Sequence, residues 1–246
     1  MARSLLRKGK PRGAKEKSAA QDYTARLVTL LDPTSVASEA YRTLRTNMLY
    51  AFVDNPPKVI VLTSPGPGEG KSTTCANLGV VLAQAAKNVL IIDCDLRKPV
   101  MHRFFGLRNL SGIVDVLVGE RSLQEVWQEP VEGLKVVTVG SIPPNPAEIL
   151  GARRFSELLA SLREEFDYVL IDASPVGLVS DPAILATQGD GVLLIMDAQS
   201  TRKGALRQAV RSLNAVGADV LGTVMNNARV SKRGYYGYGS YTTYGE

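Results

Sequence analysis

Six short apolar runs, separated by longer segments of helical periodicity, constrain the fold of this 246-residue chain more than any other feature. Each run is apolar almost throughout and rich in β-branched residues, which is typical of strands in a parallel sheet covered on both faces. The helical segments, at 71–86, 147–165 and 201–216, alternate with these runs as in repeated βαβ units. The sequence therefore predicts a doubly wound α/β fold with a mainly parallel sheet. The predicted strands are KVIVLT (58–63), NVLIID (88–93), LKVVTV (134–139), YVLIDA (168–173), GVLLIMDA (191–198) and DVLGTVM (219–225).

The charge of the chain is concentrated at its N-terminal end. The net charge is +5, but residues 1–17 contain seven Lys or Arg against one Glu, so the remainder is close to neutral. A near-neutral domain lacks the basic face that nucleic-acid binding requires, so no nucleic-acid partner is expected. We predict a basic flexible arm over 1–34, a globular domain over 35–230 and a tail over 231–246. No apolar run approaches the ~20 residues that span a bilayer, so a cytoplasmic protein is expected.

The segment SPGPGEGKST, residues 64–73, follows the first predicted strand and opens the first helical segment. Its glycines let backbone N–H groups approach phosphate oxygens, and the helix starting at Lys71 adds the positive end of its dipole. Lys71 is expected to reach the β- and γ-phosphates of ATP, and Ser72 to bind Mg²⁺. The usual G-x-x-x-x-G-K-[ST] spacing would place glycine at Pro65, so the turn falls to Gly66 and Gly68. The loop residues predicted to bind ATP are Gly66, Gly68, Glu69, Gly70, Lys71, Ser72 and Thr73.

Three aspartates follow or end two other predicted strands. Asp93 and Asp95 are two residues apart and share one side of an extended strand end, and Asp172 ends the run FDYVLID. Carboxyl ends of parallel strands meet at one edge of a sheet, so all three should converge on the loop at 66–73. Carboxylates beside a triphosphate repel it unless a divalent cation intervenes, which predicts Mg²⁺ bound by Ser72, Asp95 and Asp172.

Two further features flank the predicted domain. A helical segment at about 35–52 carries Glu39, Arg42 and Arg45 at three-residue spacing, which places them on neighbouring turns of one face. The last twelve residues, YYGYGSYTTYGE, contain five tyrosines and have no periodicity that could form a core. Glycines in this tail would give it the flexibility to present successive hydroxyl groups to a site. The tyrosines are Tyr235, Tyr236, Tyr238, Tyr241 and Tyr244.

The order of these motifs resembles the bacterial tyrosine kinases that regulate capsule and exopolysaccharide polymerisation. The resemblance covers residues 38–246 and rests on SEAYRTLRTNM, TSPGPGEGKST, VLIIDCDLRKP, IPPNPAEIL, DYVLIDASP and the tyrosine-rich end. It implies a P-loop fold related to the cell-division and partitioning ATPases, and phosphorylation of the C-terminal tyrosines. Lys71, Asp93, Asp95 and Asp172 would be catalytic, with Asp93 accepting the phenolic proton. Asn226, or Asn227 instead, resembles the asparagine that reads the adenine edge in related ATPases.

The resemblance also implies partners. Glu39, Arg42 and Arg45 match an E-x-x-R-x-x-R motif associated with assembly of subunits into a ring, in which each tail enters a neighbour's site. The chain resembles the stand-alone cytoplasmic type, which a membrane-spanning adaptor of the polysaccharide co-polymerase type recruits to the inner face of the membrane. A tyrosine phosphatase is a further expected partner.

Two alternatives remain open at the level of sequence. One is a partitioning or site-selection ATPase, a nucleotide switch without kinase activity. Such proteins usually carry lysine where this chain has Gly66, and they have no use for clustered tyrosines. The other is an oligomeric adaptor that binds nucleotide but turns over slowly, which Pro65 and Ser174 leave room for.

Overall fold

The computed structural model describes residues 23–52 and 54–228 as a sheet between two layers of helices. The strands are β1 (Val59–Thr63), β2 (Val89–Asp93), β3 (Trp127–Val131), β4 (Leu134–Val137), β5 (Tyr168–Asp172), β6 (Gly191–Asp197) and β7 (Val220–Asn226). Their order across the sheet is β3-β4-β2-β5-β1-β6-β7. All neighbours pair in parallel except β3 and β4, which form an antiparallel hairpin at one edge. The doubly wound fold is confirmed.

The helices connect and cover these strands. They are α1 (Val28–Leu31), α2 (Val36–Ala51), α3 (Lys71–Ala83), α4 (Met101–Phe104), α5 (Ile113–Val118), α6 (Leu123–Val126), α7 (Pro146–Leu150), α8 (Arg153–Glu165), α9 (Asp181–Ala186) and α10 (Lys203–Ala215). None of those in the described ranges is long and apolar enough to cross a membrane.

The central strand β1 shows why the sheet has two cores. Its side chains alternate, with Val59 and Val61 in the cluster that packs against α8, α9 and α10. Ile60 and Leu62 belong to the opposite cluster, which includes the apolar residues of α3. Every residue of β1 is buried, because both faces of the strand are covered.

The six predicted strands are all present, and the departures are local. Strand β3 was not predicted, because WQEPV contains Pro130 and has no β-branched run. Proline is tolerated there because β3 lies at the edge of the sheet. The helix predicted over 147–165 is two helices, since Ala152 adopts an extended conformation between α7 and α8.

The predicted boundary of the N-terminal arm at residue 34 is too late. Residues 1–22 lie outside the described residues, but 23–31 pack on the domain. Leu27 is buried in the core beside α3, and Thr29 is also buried. The structural unit therefore includes the segment 23–31, which we call the N-terminal strap. The whole of the predicted tail, residues 231–246, likewise lies outside the described residues.

Asp190 links the starts of two strands to α8. One carboxylate oxygen accepts hydrogen bonds from the backbone N–H groups of Lys58 and Val59, at 2.9 and 2.8 Å. The other accepts from Nε of Arg163 at 3.0 Å. Burial opposes ionisation, but the N–H of Val59 and the guanidinium of Arg163 prevail and lower the pKa of Asp190.

We expect Asp190→Asn to lower the free energy of unfolding by about 1–3 kcal/mol at pH 7. The neutral amide lacks the negative charge that the N–H groups of Lys58 and Val59 and the guanidinium of Arg163 stabilise. The pKa of Asp190 is lower in the folded state, so the stabilisation is present above the unfolded pKa and disappears as pH falls. The difference between variant and wild type should therefore shrink below about pH 4 in urea denaturation. Asp219→Asn, at an exposed aspartate before β7, is the control. A difference that stays constant from pH 7 to pH 3 would contradict this assignment.

Candidate nucleotide site

The loop between β1 and α3 has the backbone that a phosphate site needs. Gly68 and Gly70 adopt positive φ angles of 78° and 89°, a region that strongly favours glycine. A Cβ on Gly70 would lie 2.3 Å from Nδ2 of Asn226, so no larger residue fits there without movement. Gly66 is not in this region, and its N–H instead donates to the Glu69 carboxylate at 3.1 Å. The expected turn at Gly68 is therefore confirmed, but its second glycine is Gly70 and not Gly66.

Side chains behind the loop hold it in place. Oε1 of Glu69 accepts from the Thr201 hydroxyl at 2.7 Å, so this carboxylate supports the loop from within. Nδ2 of Asn226 donates to the Glu69 carbonyl at 2.9 Å and to Oγ1 of Thr74 at 3.2 Å. Asn227 instead donates to Asp197. Sequence reasoning missed Thr201, because it lies in a loop 132 residues from Glu69 and no local pattern marks it.

The three predicted aspartates converge as expected. Strand β5 lies between β1 and β2, and Asp172 is in register with Leu62 on one side and Asp93 on the other. Nζ of Lys71 lies 2.9 Å from Oδ2 of Asp95 and 3.3 Å from Oδ1 of Asp172. Lys71 and Ser72 open helix α3, and their side chains are 3.1 Å apart. The catalytic residues predicted from separate motifs thus form one cluster.

Asp93 occupies a different environment from Asp95. Asp93 is fully buried, and Oδ2 accepts hydrogen bonds from the N–H groups of Val100 and Met101, both at 3.0 Å. Its Oδ1 accepts from the N–H of Asp95 at 3.2 Å. Asp95 is held by the Ser174 hydroxyl, which donates to Oδ1 at 2.8 Å. Ser174 is therefore a site residue whose role the sequence did not reveal.

Burial dominates the electrostatics of this cluster. Burial and the negative charge of Asp172 raise the pKa of Asp93 to about 8. Burial also raises the pKa of Asp172, against the opposing effect of Lys71. For Lys71, burial lowers the pKa, but the carboxylates of Asp172 and Asp95 more than compensate and raise it above its ordinary value. Lys71 is therefore charged and shared between two carboxylates.

The donor set fits Mg²⁺ bound together with phosphates. Oδ2 of Asp172 is buried and has no hydrogen-bond partner among the described residues, so this oxygen is available as a ligand. Those residues contain no group of three or more His, Cys, Asp or Glu side chains arranged to hold a metal alone. Magnesium is usually bound by one or two carboxylates plus substrate phosphates, which matches this arrangement.

A pocket of about 240 Å³ opens over the loop. It is lined by residues of the phosphate loop and by Asp95, Lys98 and Pro175. The remaining wall includes Tyr23 and Arg26 of the N-terminal strap, which sequence reasoning did not place at the site. A larger groove of about 680 Å³ lies elsewhere, between α6 and α8.

The predicted oligomerisation residues do not all face outward. Arg42 pairs with Glu39 at 2.9 Å and donates to the Pro33 carbonyl at 2.6 Å, and Glu39 is exposed. Arg45 instead donates to the Val81 carbonyl at 3.1 Å, which ties α2 to α3 within one chain. The five predicted acceptor tyrosines, Tyr235, Tyr236, Tyr238, Tyr241 and Tyr244, lie outside the described residues.

Comparisons with known sequences identify relatives of this chain. A family model described as AAA domain covers residues 57–221. The tyrosine-protein kinase YwqD of Bacillus subtilis (strain 168) is 42% identical over 213 residues, which are 86% of this chain and 90% of YwqD. The putative tyrosine-protein kinase EpsB of Ralstonia solanacearum is 40% identical over 209 residues, 85% of this chain but only 28% of that longer protein.

Solved structures with a similar fold include a chimeric protein and a nucleotide-bound protein. The chimerical protein CapA2B2 has a TM-score of 0.80 and 35% identity, over 84% of this chain and 91% of that one. The septum site-determining protein MinD from Pyrococcus horikoshii, complexed with Mg-ADP, is more distant, with a TM-score of 0.60 and 25% identity over 72% of each chain. The P-loop fold with Mg-nucleotide neighbours and the relatives named as kinases point the same way: this chain belongs to the AAA-domain family, among the bacterial tyrosine-protein kinases.

Proposed function

We propose that this protein transfers the γ-phosphate of ATP to tyrosines of its own C-terminal tail, in trans between neighbouring copies. The observation that carries the proposal is Lys71, which lies at the phosphate loop between Asp95 and Asp172. The family membership and the five tyrosines of the tail support it. A nucleotide switch would need the same loop but not the tyrosines.

Each residue of the cluster has a role in the proposal. Lys71 would bind the β- and γ-phosphates, and Ser72, Asp95 and Asp172 would hold Mg²⁺, which neutralises charge that develops on the phosphates. Thr73 and the N–H groups of the loop would bind the other phosphate oxygens. Ser174 would orient Asp95 through its 2.8 Å hydrogen bond.

Asp93 is the proposed proton acceptor for the attacking phenol. Tyrosine is almost fully protonated at neutral pH, so transfer requires a group that takes the proton. The pKa of Asp93, about 8, makes its carboxylate a stronger base than an ordinary aspartate. The same pKa leaves most Asp93 carboxyls protonated at pH 7, so the ionised fraction would be the proton acceptor. Asp95 lines the pocket and its backbone N–H donates to Asp93, whereas Asp93 itself is not among the lining residues.

Asn226 is proposed to contact the adenine edge. It ends β7, at the same edge of the sheet as Asp93 and Asp172. Its amide also bonds to the Glu69 carbonyl, so it would couple base recognition to the phosphate loop.

The proposed assembly is a homo-oligomeric ring that uses Glu39 and Arg42. Leu31 and Val36, next to this pair, are 61% and 60% exposed, which suits an interface. Arg45 is proposed to contribute by holding α2 against α3. Phosphate adds about −1.5 to −2 charge per tyrosine, so a heavily modified tail would leave the acidic site and the ring would loosen.

The biological role that we propose is control of polysaccharide polymerisation or export. The expected partners are a membrane-spanning adaptor of the co-polymerase type, which would recruit the protein to the inner face of the membrane, and a tyrosine phosphatase. The resemblance of this chain's motifs to the bacterial tyrosine kinases of capsule and exopolysaccharide polymerisation supports this role.

The kinase proposal predicts phosphotyrosine within residues 235–244 after incubation with ATP and Mg²⁺. The full chain should be tested alone and with the cytoplasmic tail of a membrane adaptor, and the sites mapped by mass spectrometry. Lys71→Met should abolish the product, because it removes the cation that binds the phosphates.

The matched control is Lys203→Met, at an exposed lysine that opens α10. This variant should retain wild-type phosphorylation. ATP hydrolysis without phosphotyrosine would instead identify a nucleotide switch. Tight nucleotide binding with no turnover in either condition would identify an adaptor.

The ring proposal predicts that Arg42→Glu shifts the protein to smaller species in sedimentation velocity, because the reversed charge faces Glu39 and its counterpart in a neighbour. Arg153→Glu is the control, since Arg153 also pairs with a glutamate on an exposed helical face, at 2.8 Å. Equal shifts for both variants would mean that surface charge in general, and not this face, sets the assembly.

A further inference from the structure

The N-terminal strap is anchored to the phosphate-loop helix by one buried amide. Oδ1 of Asn77 accepts from the backbone N–H and the hydroxyl of Thr29, at 3.1 and 2.9 Å. Nδ2 of Asn77 donates to the carbonyls of Arg26 and Thr73, both at 2.9 Å. Asn77 is fully buried, so the main chain at Arg26 has a fixed position relative to the first turn of α3.

The strap also contacts α4, whose Phe104 lines the pocket. The ring of Tyr23 packs edge-on against Phe104 of α4, with 5.3 Å between centroids. The Thr24 hydroxyl donates to the Arg103 carbonyl at 3.3 Å. The guanidinium carbons of Arg26 and Arg103 lie 5.2 and 5.6 Å from the centroid of the Tyr23 ring. Of these two arginines, Arg26 lines the pocket and Arg103 is not among its lining residues.

The charges of the site call for a further cation. A triphosphate with one Mg²⁺ keeps roughly two negative charges. The loop 64–70 contributes no Lys or Arg, and Lys71 is already shared between Asp95 and Asp172. Among the described residues that line the pocket, the other cations are Arg26 and Lys98. Lys98 is in the segment that follows Asp95, whereas Arg26 is fixed to the helix that carries Lys71.

From this placement we infer that Arg26 binds the phosphate chain of the nucleotide and that Tyr23 positions its guanidinium. Arginine is suited to this role, because its planar guanidinium can donate two parallel hydrogen bonds to a phosphate. The inference rests on the nucleotide binding of the proposed function and adds a residue outside the matched family region 57–221. If Arg26 binds phosphate, the N-terminal strap belongs to the nucleotide site as well as to the core.

The test is equilibrium binding of a non-hydrolysable ATP analogue with Mg²⁺ to the full chain, measured by calorimetry. Arg26→Ala should weaken binding about tenfold, the loss expected for one charge-assisted hydrogen bond. Arg26→Lys should recover part of the affinity, because the charge remains. Arg103→Ala, which alters the same aromatic contact outside the pocket, should stay within about twofold of wild type.

Two outcomes would overturn the inference. One is wild-type affinity in Arg26→Ala, and the other is an equal loss in Arg26→Ala and Arg103→Ala, which would mean that packing around Tyr23 matters and the pocket cation does not. Thermal unfolding of both variants separates that case from a general loss of stability. Nucleotide binding that depends on Arg26 in a protein that forms no phosphotyrosine would overturn the proposed kinase function and support the inference.

Discussion

The shared contact of Lys71 with Asp95 and Asp172 is the interaction on which the rest of the site depends. These side chains are largely withdrawn from water, and a buried charge is tolerated only when it is paired. The pairing requires that β5 lie between β1 and β2, since only then does Asp172 face both the loop and Asp93. The strand order is therefore what makes the pairing of Lys71 with the two carboxylates possible.

Much of this could be predicted from sequence, because strand ends and phosphate loops are local signals. The apolar runs identified six strands, and the aspartates at two of their ends predicted the cluster around Lys71. The N-terminal strap could not be found in this way. Helix α1 has only four residues, and the placement of Tyr23 and Arg26 depends on contacts with residues about 50 to 80 positions away.

Two residues show why motif matching alone assigns side chains incompletely. Glu69 belongs to the loop motif, yet its carboxylate accepts hydrogen bonds from the N–H of Gly66 and the hydroxyl of Thr201, so the side chain holds the loop together. Arg45 fits the spacing of a helix face, yet it bonds to the Val81 carbonyl of the same chain. Spacing predicts the direction of a side chain from its own helix, but not which neighbouring element it meets.

The four hydrogen bonds of Asn77 set a lower limit on the length of the independently folding unit. A chain shortened to begin at residue 35, where the sequence places the start of the domain, would lose Thr29 and the carbonyl of Arg26. The amide of Asn77 would then keep one partner, Thr73, inside an apolar layer, at a cost of about 1–3 kcal/mol for each unmatched group. Neither aspartate nor leucine at position 77 would solve this problem in the shortened chain. Aspartate lacks the amide donors, and leucine cannot make the hydrogen bond to the Thr73 carbonyl. The smallest unit that keeps all four hydrogen bonds therefore includes Arg26, well upstream of the first strand.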